Sequence, residues 1–308
     1  MATHAIDATR IHHEWNRDLP PTLSIRSGDD VWFDLRMAGH GQVRRGAPAS
    51  ETEWDDTKTY HLLGPVWVED AAPGDTLEVE VLELVPGGWG WTAVLPGLGL
   101  IPEDFPTAFL RYFDLEDGST TQLGDSVRIP LAPFLGTMGT HPGEPEIASV
   151  FPPHRGGGNI DTRHLVQGST LSLPVWCEGA LFSCGDPHAA QGDGEVCVSA
   201  IECAMQARLR FVLRKETIPG PRFLVPTASA SRDPGGYFGT MGIGPDLFEG
   251  ARSAVRAMTA WLVAERGLDR EDAYVLCSLA GDLKLLEVVD DGVWNVGCTL
   301  PLSLFSAP

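Results

Sequence analysis

Alternation of apolar and polar residues is the commonest pattern along this chain, and it predicts β-strands. The clearest case is the stretch 76–84, where Leu77, Val79 and Val81 alternate with acidic residues, so that one face of the strand is apolar. Similar runs, separated by turns that contain glycine or proline, predict further strands at 20–35, 110–129, 169–184, 195–214, 222–226, 284–289 and 294–300.

Helical spacing occurs in two segments near the C-terminus. Apolar residues recur every three or four positions across 249–266, and Gly267 then ends the predicted helix. Asp269 is the predicted N-cap of a shorter helix that ends at Leu279.

These elements predict a mainly β fold in two portions. A β-sandwich-like domain covers 1–215 and contains the candidate site, and a smaller α+β portion with two helices covers 222–308. The Pro-Gly-Pro sequence at 219–221 is the candidate linker. The stretches 36–60 and 86–106 lack periodicity and are predicted to be long loops.

Charge and cysteine content narrow the function classes. The 308 residues have a formal net charge of −20, which repels nucleic acid and anionic membranes but attracts cations, so we expect neither of the first two as a partner. The six cysteines form no CxxC pair, which favours buried free thiols in a reducing cytoplasm. The first residues contain no basic segment followed by an apolar run, and no membrane span is expected.

The most informative segment is 185–195, whose sequence is GDPHAAQGDGE. Residues two apart in an extended chain point the same way, so Asp186 and His188 can reach one metal ion together. A glycine-flanked turn then returns Glu195, and Gln191 adds an amide. The alternative is a polar turn with solvated side chains.

A second polar cluster lies about 25 residues earlier. Three glycines at 156–158 allow close backbone approach to a ligand, and Asn159 and Asp161 supply oxygen atoms. The alternative is a flexible glycine turn in which these side chains cap the backbone.

Other candidate residues are isolated along the chain. Glu69 ends an apolar run beside Trp67, where a raised pKa would suit a general base, although an exposed strand-end glutamate looks the same in sequence. Among the histidines, His12, His61 and His141 are candidates for a site, but a lone histidine is more often structural.

Three segments together resemble the acetamidase/formamidase family. They are GPVWVEDAAPGD at 64–75, GGNID at 157–161 and the 185–195 motif. The resemblance extends over nearly the whole chain. Asp70 departs from the pattern because the family usually has glycine there, and His154 is inserted just before the glycines.

The resemblance implies hydrolysis of a short aliphatic amide to a carboxylate and ammonia, a homodimer, and one or two divalent ions, Zn²⁺ or Ca²⁺. The expected roles are proton transfer for Glu69 with Gln191, substrate binding for His12, His61 and His154, and metal binding for Asn159, Asp161, Asp186, His188 and Glu195. Side chains on the glycine-rich loops, expected to wall the substrate pocket, are Trp89, Trp91, Phe134 and Met138.

Two alternatives remain open. The same site could hydrolyse a larger or cyclic amide or imide, for which the two long predicted loops leave room. The chain could instead be a non-catalytic metal-binding β protein. A structural metal site needs neither a free base nor an open coordination position, and that difference separates this class from the enzymes.

Overall fold

The fold is mostly β with a small helical part near the C-terminus, which confirms the predicted class. The structure is a computed structural model, and it describes residues 1–39, 41–226 and 235–305.

The strands are numbered in chain order. The first eleven are β1 (Thr3–Ile6), β2 (Ile11–His12), β3 (Trp15–Asn16), β4 (Leu23–Ile25), β5 (Asp30–Leu35), β6 (Leu62–Val68), β7 (Thr76–Val94), β8 (Phe109–Asp114), β9 (Thr120–Leu123), β10 (Val127–Pro130) and β11 (Phe134–Gly139). The other ten are β12 (Ile147–Ala148), β13 (Pro153–His154), β14 (Gly157–Asn159), β15 (Thr170–Pro174), β16 (Phe182–His188), β17 (Glu202–Arg214), β18 (Arg222–Val225), β19 (Tyr237–Gly244), β20 (Asp282–Glu287) and β21 (Trp294–Pro301). The helices are α1 (Leu247–Arg266) and α2 (Arg270–Ala280).

One large curled sheet contains 17 of these strands, and β9–β10 and β3–β12 form two small separate pairs. Its longest ladder joins β7 to β17 antiparallel, from Thr76 opposite Arg214 to Trp91 opposite Glu202. The alternating apolar residues of both strands face one continuous core.

Strand β7 is longer than the alternation predicts. Residues 86–94, predicted to be loop, continue the strand, because they pair with β8 from Trp89 opposite Asp114 to Val94 opposite Phe109. Gly90 is required there, since a Cβ would lie 2.7 Å from the carbonyl oxygen of Glu202. The prediction of a loop is therefore wrong for this part of the stretch 86–106.

Strands from both predicted portions belong to the same sheet. Strand β15 pairs with β18, with Leu171 opposite Phe223. The side chain of Asn295 also donates a hydrogen bond of 2.8 Å to the carbonyl oxygen of Ile160. The division near residue 215 stays a prediction, and it falls between the end of β17 and the start of β18.

The two helices form where the spacing predicts them, with small differences at their ends. Helix α1 begins two residues early because the Asp246 carboxylate accepts a hydrogen bond of 2.9 Å from the Glu249 amide. Asp269 occupies the N-cap position of α2, but its side chain makes no cap hydrogen bond. Among the described residues, no helix is long and apolar enough to cross a membrane.

We predict that Asp246→Ala lowers the free energy of unfolding by about 1 kcal/mol, because it leaves a helix-terminal amide without its acceptor. Asp269→Ala is the matched control and should cost less, since no cap bond is lost. Urea unfolding followed by circular dichroism measures both. Equal losses would contradict the assigned cap.

Candidate active site

Three neighbouring strands bring the two glycine-rich motifs together. In β11, Thr137 lies opposite Asn159 of β14 on one side and Gly185 of β16 on the other. Phe134 lies opposite His188, and its ring meets the imidazole edge-on at 5.1 Å. The predicted convergence of the 157–161 and 185–195 segments is therefore observed.

His188 is fully buried and lies between carboxylates and an amide. Its Nε2 atom is 3.2 Å from Glu202 Oε2 and 3.3 Å from Asp186 Oδ2. Its Nδ1 atom lies 2.9 Å from Gln191 Oε1, and Gln191 Nε2 donates a 2.8 Å hydrogen bond to the carbonyl oxygen of Asp161. Because an amide oxygen only accepts, Gln191 requires a proton on Nδ1. Burial lowers the pKa of His188, but Glu202 and Asp186 at Nε2 raise it well above its usual value.

Two groups of potential metal ligands share this imidazole. One consists of Asp161, Asp186 and His188, and the other of His188, Glu195 and Glu202; within each, the ligand atoms all lie within 4.8 Å of one another. All five residues are buried. The structure thus brings together four of the five predicted ligands and adds Glu202.

The backbone is strained at three of these carboxylates. Asp161, Asp186 and Glu195 have φ values of 39°, 52° and 45°, in the left-handed region that non-glycine residues rarely adopt. Strain of this kind persists where the surrounding structure enforces it, often at functional sites. The convergence of Asp186 and His188 therefore depends on a left-handed residue and not on regular extended geometry.

Two acids from the C-terminal part enlarge the cluster. Asp290 Oδ2 accepts a 2.6 Å hydrogen bond from Asn159 Nδ2, and Glu287 Oε1 accepts a 2.7 Å bond from the Asp290 amide. The buried carboxyl groups, each at most 7% exposed, are Asp161, Asp186, Glu195, Glu202, Glu287 and Asp290. Within the described part of the chain, no lysine or arginine forms an ion pair with any of the six.

Burial without a lysine or arginine partner changes the titration of these groups. Burial, followed by the neighbouring Asp186, raises the pKa of Asp161 well above its usual value. Burial, followed by Asp161, does the same to the pKa of Glu195 and of Asp290. For Glu287, burial raises the pKa to about 7 against the hydrogen bonds from two backbone amides.

Several oxygen atoms in the cluster have no hydrogen-bond donor. Both carboxylate oxygens of Asp161, Oδ1 of Asp186 and Oε2 of Glu202 are buried and unpaired. An unpaired buried carboxylate oxygen is costly, and such atoms are rare in folded proteins. These oxygens and the His188 nitrogen are the donor set that a divalent cation requires, so the residues fit a metal ion.

Gly136 keeps the centre of the cluster open. A Cβ at this position would lie 2.8 Å from Asp186 Oδ2 and 2.8 Å from His188 Cε1. Any side chain there would displace the ligand atoms.

Asn159 supports the cluster from one side. Its Oδ1 accepts a short hydrogen bond from the Thr137 hydroxyl, while its Nδ2 donates to Asp290. The amide oxygen thus has a donor, and both polar atoms of Asn159 are engaged within the protein.

Glu69 lies apart from the cluster. Its side chain is 43% exposed and its Oε2 atom lies 2.9 Å from Nε of Arg26, in a surface ion pair. The strand-end position was the sequence argument for a general base, but the carboxylate turns outward to a guanidinium. This geometry gives no support to a role in proton transfer.

The three histidines predicted to bind substrate also lie outside the ligand groups. His12 uses both ring nitrogens, at 2.9 Å from Ser183 Oγ and 2.8 Å from the carbonyl oxygen of Glu14. His154 packs edge-on against Trp15, with ring centroids 4.9 Å apart, and burial lowers its pKa to about 3.

The ring of His61 is buried against that of His13, with centroids 5.2 Å apart. The candidate His141 accepts a 3.0 Å hydrogen bond from the Gly143 amide, and its Nε2 lies 3.1 Å from the carbonyl oxygen of Glu146. The substrate roles of these histidines stay predictions.

Of the four aromatic and methionine side chains expected around a pocket, Phe134 alone contacts His188 among the described ring pairs. Met138 belongs to the main core. Trp91 belongs to a separate apolar cluster, and Trp89 packs against that cluster. The Trp91 and Trp54 rings lie 5.7 Å apart there.

Sequence reasoning missed four residues of the site: Tyr60, Glu202, Glu287 and Asp290. Burial, followed by Asp186 and Asp290, raises the pKa of the Tyr60 phenol well above its usual value, which places it beside the carboxylates. Glu202 had one usable signal, an acid flanked by Ile201 and Cys203 at the start of an apolar strand. The other three had none, because only the fold brings them to the motifs.

Comparison with known proteins points to a single family. The family model described as "Acetamidase/Formamidase family" matches residues 2–150 and 145–307. An acetamidase of Mycolicibacterium smegmatis is 26% identical over 247 residues, covering 60% of this chain and 61% of that protein. A formamidase of Methylophilus methylotrophus is 26% identical over 271 residues, covering 68% of this chain and 65% of its own. The matched part thus spans less than two thirds of these two relatives.

Solved structures cover the whole fold. The acetamidase from Bacillus halodurans has a TM-score of 0.87 at 29% identity, covering 98% of both chains. A predicted acetamidase/formamidase from Thermoanaerobacter tengcongensis has a TM-score of 0.88 at 25% identity, covering 99% of this chain and 97% of its own. A γ-lactamase from Delftia acidovorans, at 24% identity and a TM-score of 0.68 over 97% of this chain and 90% of its own, shares the fold.

We predict that Glu287→Gln stabilises the chelator-treated protein as pH rises. The pKa of Glu287 is raised from 4.5 to about 7 in the folded protein. Between these two pH values the group ionises in the unfolded chain but stays protonated in the folded protein, so the wild type loses stability as pH rises. The amide of the variant cannot ionise. The gain between about pH 5 and pH 7.5 should be on the order of 3 kcal/mol.

Urea unfolding of both proteins across this range gives the difference in the free energy of unfolding. Comparing two proteins is necessary because neutral buried histidines such as His154 shift stability in the opposite sense as pH changes. A difference that does not vary with pH would contradict the assigned pKa.

Proposed function

Because the chain belongs to the acetamidase/formamidase family, we propose that it is a metal-dependent amidase that hydrolyses the C–N bond of a linear amide. The products are a carboxylate and ammonia. The observation that supports this most strongly is the buried carboxylate and imidazole cluster with unpaired oxygen atoms.

We propose that Asp161, Asp186 and His188 bind the ion, with Glu202 completing the set. An ion bound there, Zn²⁺ or Ca²⁺, supplies a Lewis acid for the amide carbonyl and lowers the pKa of water. The single nitrogen suits zinc and the many carboxylate oxygens suit calcium. The second ligand group, His188 with Glu195 and Glu202, could bind a second ion.

The protein's own groups supply orientation and proton transfer. Gln191 holds the His188 tautomer through Nδ1 and is therefore a positioning residue. Glu195 belongs to the cluster and also lines the open cleft beside it. We propose that Glu195 takes the proton of the attacking water as the C–O bond forms, and delivers it to the nitrogen as the C–N bond breaks.

We predict that chelation abolishes ammonia release from formamide and acetamide, and that refilling with Zn²⁺ or Ca²⁺ restores it. Asp186→Asn and His188→Ala should lose metal and activity together. Glu195→Gln should retain the ion but lose about 10²–10⁴-fold in kcat. Glu271→Gln, an exposed carboxylate of α2, is the matched control.

Three outcomes separate the alternatives. If kcat falls as much in Glu69→Gln as in Glu195→Gln, proton transfer would be assigned to Glu69. Metal binding without hydrolysis of any amide would favour the non-catalytic metal-binding protein. Full activity in metal-free protein would contradict metal dependence.

We also propose a homodimer in the cytoplasm. All six cysteines are free thiols, which supports a reducing compartment. Helix α2 exposes Tyr274 and Leu279, at 64% and 79%, and the adjacent β20 exposes Leu283 and Leu285. An apolar face of this kind suits burial against a second copy.

We predict that Leu279→Glu weakens the dimer, because it places a charge in the apolar face. Light scattering after size exclusion measures the mass across a dilution series. Val127→Glu, at an exposed valine of β10, is the control and should leave the mass unchanged. A wild type that is monomeric at all concentrations would contradict the proposal.

A further inference from the structure

An open cleft of about 460 Å³ lies beside the acidic cluster. Strands β7, β8, β9 and β10 form one side of it, and the loop 190–201 forms the other. Strands β8, β9 and β10 of this wall precede the two sequence motifs, 157–161 and 185–195, in the chain.

The cleft borders the proposed reaction centre through three shared or adjoining residues. Glu195 and Gln191 line it, and both also belong to the site: Glu195 through its ligand group and Gln191 through its contact with His188. Ser199 lines it as well, and its hydroxyl lies 3.3 Å from Glu202 Oε1. A substrate whose amide group reaches the carboxylates would therefore extend its acyl group along the cleft.

The walls are apolar. Phe113 and Ile201 are buried in the wall, while Phe109, Leu123 and Ile129 line the accessible part. These side chains offer an acyl group a surface of carbon atoms along its length.

Two charged side chains of the wall contact other groups of the protein, Asp193 in an ion pair and Arg111 over an aromatic ring. The Arg111 guanidinium lies 5.3 Å from the centre of the Phe109 ring. The Asp193 carboxylate accepts two hydrogen bonds from Arg163, of 2.9 and 3.0 Å. An acyl group in the cleft thus meets carbon atoms, and the nearby carboxylates repel any anion.

The size of the cleft exceeds what the smallest amides require. Pockets of roughly 300–1,000 Å³ accommodate drug-sized ligands, whereas formamide and acetamide have only three and four non-hydrogen atoms. Such small substrates would leave most of the apolar wall in contact with water.

We propose that the substrate of this site is a neutral primary amide with an apolar acyl group larger than acetyl, which lies along Phe109, Leu123 and Ile129. This inference rests on the proposed amidase function and specifies its substrate class. Burial of the acyl chain supplies binding energy that formamide cannot provide.

The test measures kcat/KM on metal-loaded enzyme for formamide, acetamide, butyramide and hexanamide. A fully buried methylene raises kcat/KM about fourfold and a half-buried one about twofold, and hexanamide has four more methylenes than acetamide. Hexanamide should therefore exceed acetamide by at least tenfold. The monoamide of adipic acid, an anionic relative of hexanamide, should be the poorer substrate because of the acidic surroundings.

Variants then locate the effect in the cleft. Leu123→Ala and Ile129→Ala should lower the ratio of kcat/KM for hexanamide to that for acetamide at least threefold. Gly192→Val should also lower this ratio by narrowing the cleft, since Gly192 lines it and an added Cβ meets no atom within 4 Å. Leu224→Ala, an exposed leucine of β18 outside the cleft, is the matched control.

The outcomes distinguish the inference from the function on which it rests. Hydrolysis of formamide and acetamide with a flat or falling kcat/KM for longer amides would overturn the substrate class alone. A ratio that the cleft variants leave unchanged, in proteins whose circular dichroism matches the wild type, would overturn the location. Failure to hydrolyse any amide would overturn both proposals.

Discussion

The burial of six carboxyl groups around one imidazole is the constraint on which the site depends. An ionised carboxylate that leaves water needs a partner, and ion pairs with lysine or arginine are lacking for all six in the described part of the chain. Burial penalises the ionised form and so raises the pKa of Asp161, Glu195 and Asp290. Bound protons can therefore neutralise the cluster. A divalent cation can do the same, and protons and metal then compete for the same oxygen atoms.

The sheet holds this unfavourable arrangement in place. Strands β11, β14 and β16 are fixed by backbone pairing, so their side chains cannot move apart to relieve repulsion. The left-handed residues Asp161 and Asp186 direct carboxylates inward at a local cost. The large apolar core beneath supplies the stability that offsets this cost.

Much of the fold and of the site could be predicted from short-range patterns. The strict alternation at 76–84 predicts a strand, and the glycine-rich motifs identify Asp161, Asp186, His188 and Glu195 as a group. The strand prediction is confirmed because alternation depends on neighbours in sequence, whereas the two motifs meet only through their pairing with β11 and their roles stay predictions. The family resemblance is confirmed by the family model.

Contacts between residues that lie far apart in the sequence could not be predicted. Asp290 reaches the site through a hydrogen bond from Asn159, a residue 131 positions away, which no local pattern encodes. Glu69 shows the converse, since a carboxylate at a strand end looks catalytic until the structure places Arg26 beside it. The loop predicted at Trp89 failed for the same reason, because strand β8 pairs with residues whose glycines suggest a turn.

A divalent ion that neutralises the buried carboxylates is the feature on which the proposed activity depends. The most direct test is calorimetric titration of chelator-stripped protein with Zn²⁺ or Ca²⁺ in two buffers of different ionisation enthalpy. We predict saturable binding of at least one ion per chain with release of protons, and loss of that binding in Asp161→Asn. Absence of saturable binding by folded protein, or binding that Asp161→Asn leaves unchanged, would contradict it.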